Sequence, residues 1–105
     1  MIKKTISIVI PCFNEEYNIE KTYKELDKII KKIKKYKFEY IFVDDGSSDN
    51  TFIKLKKLAK IKKSIKCIKL SRNFGSHISI SAGFEHSINS DAAILITADL
   101  QEPPE

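Results

Sequence analysis

Residues Phe38 to Thr51 read FEYIFVDDGSSDNT, and the order of residue types in that stretch decides the fold. Phe38 to Val43 is rich in aromatic and β-branched residues and has the length of a strand. The run Asp44 to Asn50 (DDGSSDN) is made of turn formers. Ser48 or Asp49 then caps a helix that turns Phe52, Leu55, Leu58 and Ala59 inward. Strand, acidic turn and helix follow one another without a linker, which is the repeating unit of an α/β sheet.

The same unit recurs on both sides. Upstream, Ile6 to Ile10 (ISIVI) is a short β-branched strand that Pro11 ends. From Glu15 the period lengthens, and Ile19, Tyr23, Leu26, Ile30 and Ile33 recur every three or four residues as one helix face. Downstream, Ile65 to Leu70 is a third strand and Ser76 to Ile88 a third helix, apolar on more than one side. Asp91 to Ile96 is the fourth strand. Pro103 and Pro104 lack the N–H that a central strand needs, so Asp99 and Gln101 fall on a loop beyond it. This order predicts a Rossmann-like α/β domain, with a mostly parallel sheet, right-handed crossovers and helices on both faces.

Composition excludes several classes. The 105 residues suffice for one domain, and 42% hydrophobic with 31% charged residues is ordinary for a soluble globular chain. The net charge of +5 rests on lysines crowded between Lys28 and Lys37 and between Lys54 and Lys66. Both runs are interleaved with Ile and Leu at helical spacing, so they read as solvated helix faces, with weak attraction to anionic lipid or phosphate as a secondary reading. Arg72 is the single arginine, which argues against a nucleic-acid partner. Cys12 and Cys67 lie in no CxxC pattern and read as free thiols of a reducing cytoplasm. The run Ile6 to Ile10 is too short for a signal peptide or a membrane span.

In such sheets ligands bind beyond the carboxyl ends of the strands. Those ends carry PCFNEE, DDGSSD, SRNFG and ADLQEPPE, so every polar cluster falls on one rim. Acidic clusters sharing an edge repel one another unless a cation sits among them. Asp99 and Gln101 offer hard oxygen ligands two positions apart, which suits Mg²⁺ or Mn²⁺ shared with substrate phosphates. Asp44 and Asp45 can accept hydrogen bonds from a nucleobase N–H or a ribose hydroxyl. Ser47, Ser48 and Asp49 read as turn and cap residues, and Glu16 and Glu20 as favouring the positive end of the first helix. His77 and His86 read as structural or surface residues, and Phe13, Phe74 and Phe84 as packing. Gly46 and Gly75 serve backbone geometry.

Four ordered motifs resemble the family-2 glycosyltransferases. They are IVIPCFNEEYNI (Ile8–Ile19), VDDGSSDNT (Val43–Thr51), LSRNFGSHISISAG (Leu70–Gly83) and ADLQEPPE (Ala98–Glu105). The last two are similar to the branch containing dolichol-phosphate mannose synthase and bacterial polyprenyl-phosphate glycosyltransferases. The resemblance implies a GT-A fold of which residues 1–105 are the nucleotide-sugar-binding part, truncated after the metal motif. It implies that Pro11, Asn14, Glu15 and Asp44 belong to the donor pocket and that Asp45 contacts the base. Arg72 and Asn73 would lie toward the phosphates, and Asp99 with Gln101 would hold the metal and the diphosphate. Thr97 stands where many relatives carry the first Asp of D-x-D, which implies weaker metal affinity.

The implied reaction passes a hexose, with inversion, from a UDP- or GDP-sugar to polyprenyl phosphate or a glycan, at the cytoplasmic face of the inner membrane. Any general base would lie beyond Glu105, so the chain alone is expected to bind nucleotide weakly, to self-associate and to transfer no sugar. A signalling receiver domain is excluded by placement, since its acidic pair follows the first strand and here the pair follows the second. A non-catalytic nucleotide-binding or interaction module left by truncation is the alternative reading.

Overall fold

The computed structural model describes residues 3–97. Strands β1 (Thr5–Cys12), β2 (Lys37–Asp44), β3 (Ile65–Lys69) and β4 (Ala92–Leu95) alternate with helices α1 (Ile19–Ile30), α2 (Thr51–Ile61) and α3 (Ser76–Glu85). All the strands pair in parallel, in the order β3-β2-β1-β4. The chain therefore starts in the middle of the sheet, winds outward through β2 to β3, and returns to place β4 on the far side of β1. The order reverses at β1, and its carboxyl end is where an open parallel sheet makes a crevice.

Alternation along β1 and β2 explains why both read as near-continuous apolar runs. Ile8, Ile10 and Cys12 with Tyr40 and Phe42 face α1 and α2, where they meet Ile19, Tyr23, Leu26 and Leu55. Val9, Ile41 and Val43 face the other way and pack against Ala82 of α3. Helices thus cover both faces, two on one side and one on the other. Within the first layer Tyr23 meets Tyr40 edge-on at 5.0 Å, and the Tyr40 hydroxyl donates to Asp27 Oδ1 at 3.2 Å. On the second face Gly83 lets α3 lie close, because a Cβ there would stand 2.3 Å from Val9 Cγ1.

Element ends depart from the sequence expectations for local reasons. Pro11 does not end β1, which runs on to Cys12. The Val9 carbonyl accepts from Ile96 N on the β4 side, and Pro11 faces that same side two residues later, past the last β1–β4 pair of Val9 and Leu95. The missing N–H therefore costs no ladder bond. Helix α1 stops at Ile30, leaving Ile33 exposed outside it, and α3 stops at Glu85, leaving Ile88 exposed. The N-cap of α2 is Asn50 rather than Ser48 or Asp49. The Asp49 carboxylate nevertheless serves that end, accepting from Thr51 N at 3.0 Å and Thr51 Oγ1 at 2.5 Å.

A polar knot closes the opposite end of the sheet. Ser7 of β1 is fully buried, and its hydroxyl donates to Glu39 Oε2 of β2 at 2.6 Å. Ser90, just before β4, has its hydroxyl within reach of both, and Lys66 of β3 lies 3.4 Å from Glu39 Oε1. Burial pushes the Glu39 carboxyl up, but the Ser7 hydrogen bond, the Lys66 charge and Ser90 outweigh it and hold the group below its ordinary value. A carboxyl whose folded value is depressed contributes stability above its unfolded pKa and loses it as pH falls through the folded one. The stability difference between the wild-type chain and Glu39→Gln should therefore be full near neutral pH and shrink on acidification below about pH 4. Urea denaturation across that range checks it. A difference independent of pH would show that the Glu39 charge does not hold the knot.

Candidate functional site

At the carboxyl ends of β1 and β2 two loops lie side by side and are laced together. Asn14 takes a left-handed conformation with φ 51°, which an asparagine tolerates better than most residues. That turn lets its N–H donate to Ser47 Oγ at 2.8 Å while its Oδ1 accepts from Ser48 N at 2.9 Å. Glu15 N donates to Thr51 Oγ1 at 2.9 Å, and Asn50 N donates to Glu16 Oε1 at 3.2 Å. The Glu15 side chain accepts from Asn18 Nδ2 at 3.0 Å. Ser47, Asp49 and Thr51 thus do more than form a local turn, since each holds the neighbouring loop.

The third loop, residues 70–75, is fastened by Asp45. Its Oδ1 accepts from Phe74 N at 2.9 Å and its Oδ2 from Gly75 N at 3.1 Å, while Asn73 Nδ2 donates to the Asp45 carbonyl at 3.2 Å. Asp45 is 5% exposed, and its charge sits against the N-terminal end of α3, where a helix favours an anion. Gly46, with φ 71°, allows the crossing, because a Cβ there would lie 2.2 Å from the Arg72 carbonyl carbon and 2.3 Å from Asn73 N. Only glycine fits both the conformation and the contact.

Asp44 is fully buried beside this crossing. Its Oδ1 accepts from Ser47 N at 3.2 Å and from the Ser47 hydroxyl, while its Oδ2 has no partner among the described residues. Burial first, then the negative charges of Asp44 and Glu15, push the Cys12 thiol well above its ordinary range, so it is no nucleophile.

The structure therefore gathers Pro11, Asn14, Glu15, Asp44, Asp45 and Arg72 on one rim, with Pro11 half-buried and Arg72 exposed over the Phe74 ring at 4.9 Å. Asp99 and Gln101 lie outside the described residues. The packing role expected of Phe13, Phe74 and Phe84 is not what the structure has, since they are 45%, 38% and 38% exposed. Phe13 and Phe74 lie in the loops beyond the ends of β1 and β3. An aromatic residue set in a wholly polar loop was the signal for that. Among the described residues no group of three or more His, Cys, Asp or Glu side chains can hold a metal ion. With the Asp45 carboxylate fastened to backbone and Asp44 enclosed, the described rim does not itself fit a divalent cation.

Residues 7–105 match the family model described as glycosyl transferase family 2. The chain belongs to glycosyl transferase family 2. CsbB of Bacillus subtilis (strain 168), named as a glycosyltransferase, is 45% identical over 98 residues, covering 93% of this chain and 29% of that protein. The undecaprenyl-phosphate 4-deoxy-4-formamido-L-arabinose transferase of Proteus mirabilis (strain HI4320) is 43% identical over 103 residues, covering 95% of this chain and 30% of that protein. Among solved structures, the mannosyltransferase PcManGT from Pyrobaculum calidifontis, in complex with GDP-Man and Mn²⁺, superposes with a TM-score of 0.79 at 18% identity. That match covers 98% of this chain and 30% of that one. It shows the fold, which is that of the GT-A glycosyltransferases. The chain spans 29–30% of the length of these relatives.

The fastening at Asp45 makes a measurable demand on this family-2 rim. Asp45→Ala leaves Phe74 N and Gly75 N without their charged acceptor and should lower stability by roughly 1.5–3 kcal/mol, with Asp45→Asn falling between it and the wild type. Chemical denaturation followed by circular dichroism reads this. An Asp45→Ala variant as stable as the wild type would show that the third loop is held by other contacts.

Proposed function

We propose that residues 1–105 form the donor-binding part of a family-2 glycosyltransferase that moves a hexose, with inversion, from a UDP- or GDP-sugar to a polyprenyl-phosphate acceptor. The observation that supports this reading is the rim itself. Three loops from three strand ends are locked into one surface at the point where strand order reverses, which is where open α/β sheets receive nucleotides. The undecaprenyl-phosphate transferase among the relatives supports the lipid acceptor, and the GDP-Man in the PcManGT complex supports the donor class.

In this proposal Pro11, Asn14 and Glu15 form the wall of the nucleotide pocket, and Asp44 and Asp45 lie at its base end. Arg72, exposed over the Phe74 ring, meets the phosphates. Asp99 and Gln101 hold Mg²⁺ or Mn²⁺, which when bound would neutralise charge on the departing diphosphate. An acceptor phosphate is already anionic near neutral pH, so the chain's own residues mainly position the donor and need supply no strong base. Among the described residues no helix is long and apolar enough to cross a membrane, and we place the whole protein at the cytoplasmic face of the inner membrane on the acceptor's account. The span of 29–30% of its relatives keeps a second reading in play, a non-catalytic nucleotide-binding module.

Calorimetric titration of the chain with UDP and GDP tests the proposal. Affinity in Mn²⁺ should exceed that in EDTA, and Asp99→Asn should abolish the gain while leaving the EDTA affinity unchanged. Equal Mn²⁺ gains in wild type and Asp99→Asn would remove Asp99 from the metal site. No binding of either nucleotide in any condition would contradict the donor-site reading.

A further inference from the structure

The outer face of α2 sets exposed isoleucines among lysines. Ile53, Lys56, Lys57, Lys60 and Ile61 follow the spacing i, i+3, i+4, i+7, i+8 and form one exposed stripe, with Ile53 53% and Ile61 72% exposed. The buried side of the same helix is carried by Thr51 and Leu55. Residues 51–72 contain eight lysines, Arg72 and no acidic residue at all. Helix α1 differs, for its lysines are interspersed with Glu20, Glu25 and Asp27, and Lys31 pairs with Asp27 at 3.1 Å. A solvated helix face ordinarily mixes the two signs and keeps isoleucine inside. The α2 stripe does neither.

Beside the stripe, between α2 and the β3 edge, lies a groove of about 350 Å³ lined by Phe52, Ala59 and Cys67 with Lys56 and Lys60. Lys69 of β3 stands over the Phe52 ring at 5.3 Å. An apolar trough bordered by cations, next to exposed isoleucines, matches the boundary layer of a bilayer, with phosphate headgroups above and acyl chains beneath. RNA is a poorer match, since no arginine stands on the stripe and the Phe52 ring beside it is half-buried beneath Lys69.

We propose that α2 and the adjoining β3 edge dock the protein side-on to a membrane surface rich in anionic phospholipid headgroups. Lysines bind the headgroups, and Ile53 and Ile61 enter the interfacial layer. The stripe runs along the helix from the rim that carries the candidate site, so side-on docking leaves that rim at the margin of the contact. The proposal does not depend on the donor chemistry.

Sedimentation of the 105-residue chain with vesicles, at low and at high salt, tests it. Vesicles of phosphatidylcholine with phosphatidylglycerol should carry the chain down and vesicles of phosphatidylcholine alone should not. Reversing Lys56, Lys57 and Lys60 to Glu should lower the partition coefficient about a hundredfold, at roughly fivefold per lysine near the surface. Reversing Lys21, Lys24 and Lys28 on α1, the same change in net charge, should lower it less than tenfold. Ile53→Ser with Ile61→Ser keeps the charge and should weaken binding that survives high salt. Circular dichroism confirms that each variant is folded. No binding to anionic vesicles, equal loss from the α1 and α2 reversals, or an RNA oligonucleotide that displaces the vesicles through the same lysines would each overturn the proposal.

Discussion

Two hydrogen bonds from backbone to one carboxylate hold the functional end of this fold together. Asp45 follows directly on β2 and accepts the N–H groups of Phe74 and Gly75 from the loop that enters α3. Without that acceptor the Phe74 and Gly75 N–H groups at the N-terminal end of α3 lose their carboxylate partner. The crossing also requires Gly46, since any side chain there would occupy the space of the Arg72–Asn73 peptide. The Asn14–Ser48 and Glu15–Thr51 bonds then tie the β1 loop into the same block. A rim assembled this way is preorganised, so little ordering cost would fall on a ligand that binds it.

Much of the fold was legible because its signals are local. β-branched runs, a helical period from Ile19 to Ile30 and turn formers at each strand end lie within a dozen residues of one another. Errors fell where the deciding partner is distant. Pro11 reads as a strand end, yet its nitrogen faces a ladder that has already finished at Val9 and Leu95. Ile33 continues the apolar period of α1 but meets no layer, because the chain has already turned back toward β2.

The site was legible in part, for the same reason. Motif order put Asn14, Glu15, Asp44, Asp45 and Arg72 on one rim, and the sheet topology gathers them there. No sequence pattern showed that the Asp45 carboxylate is engaged by a backbone 29 residues downstream, or that one oxygen of Asp44 is enclosed without a partner. Both depend on how three loops cross. Nor did the motif order show that Phe13 and Phe74 would stand partly exposed in those loops.

The central claim is that the three interlocked loops form the nucleotide-binding surface of this family-2 chain. Amide chemical-shift mapping of the isotope-labelled chain during titration with GDP or UDP and Mg²⁺ tests it most directly. The account predicts that the largest shifts cluster at residues 11–15, 44–48 and 72–75, while the polar knot around Ser7, Glu39 and Ser90 stays unmoved. Shifts centred on that knot, or confined to the groove between α2 and β3, would contradict it.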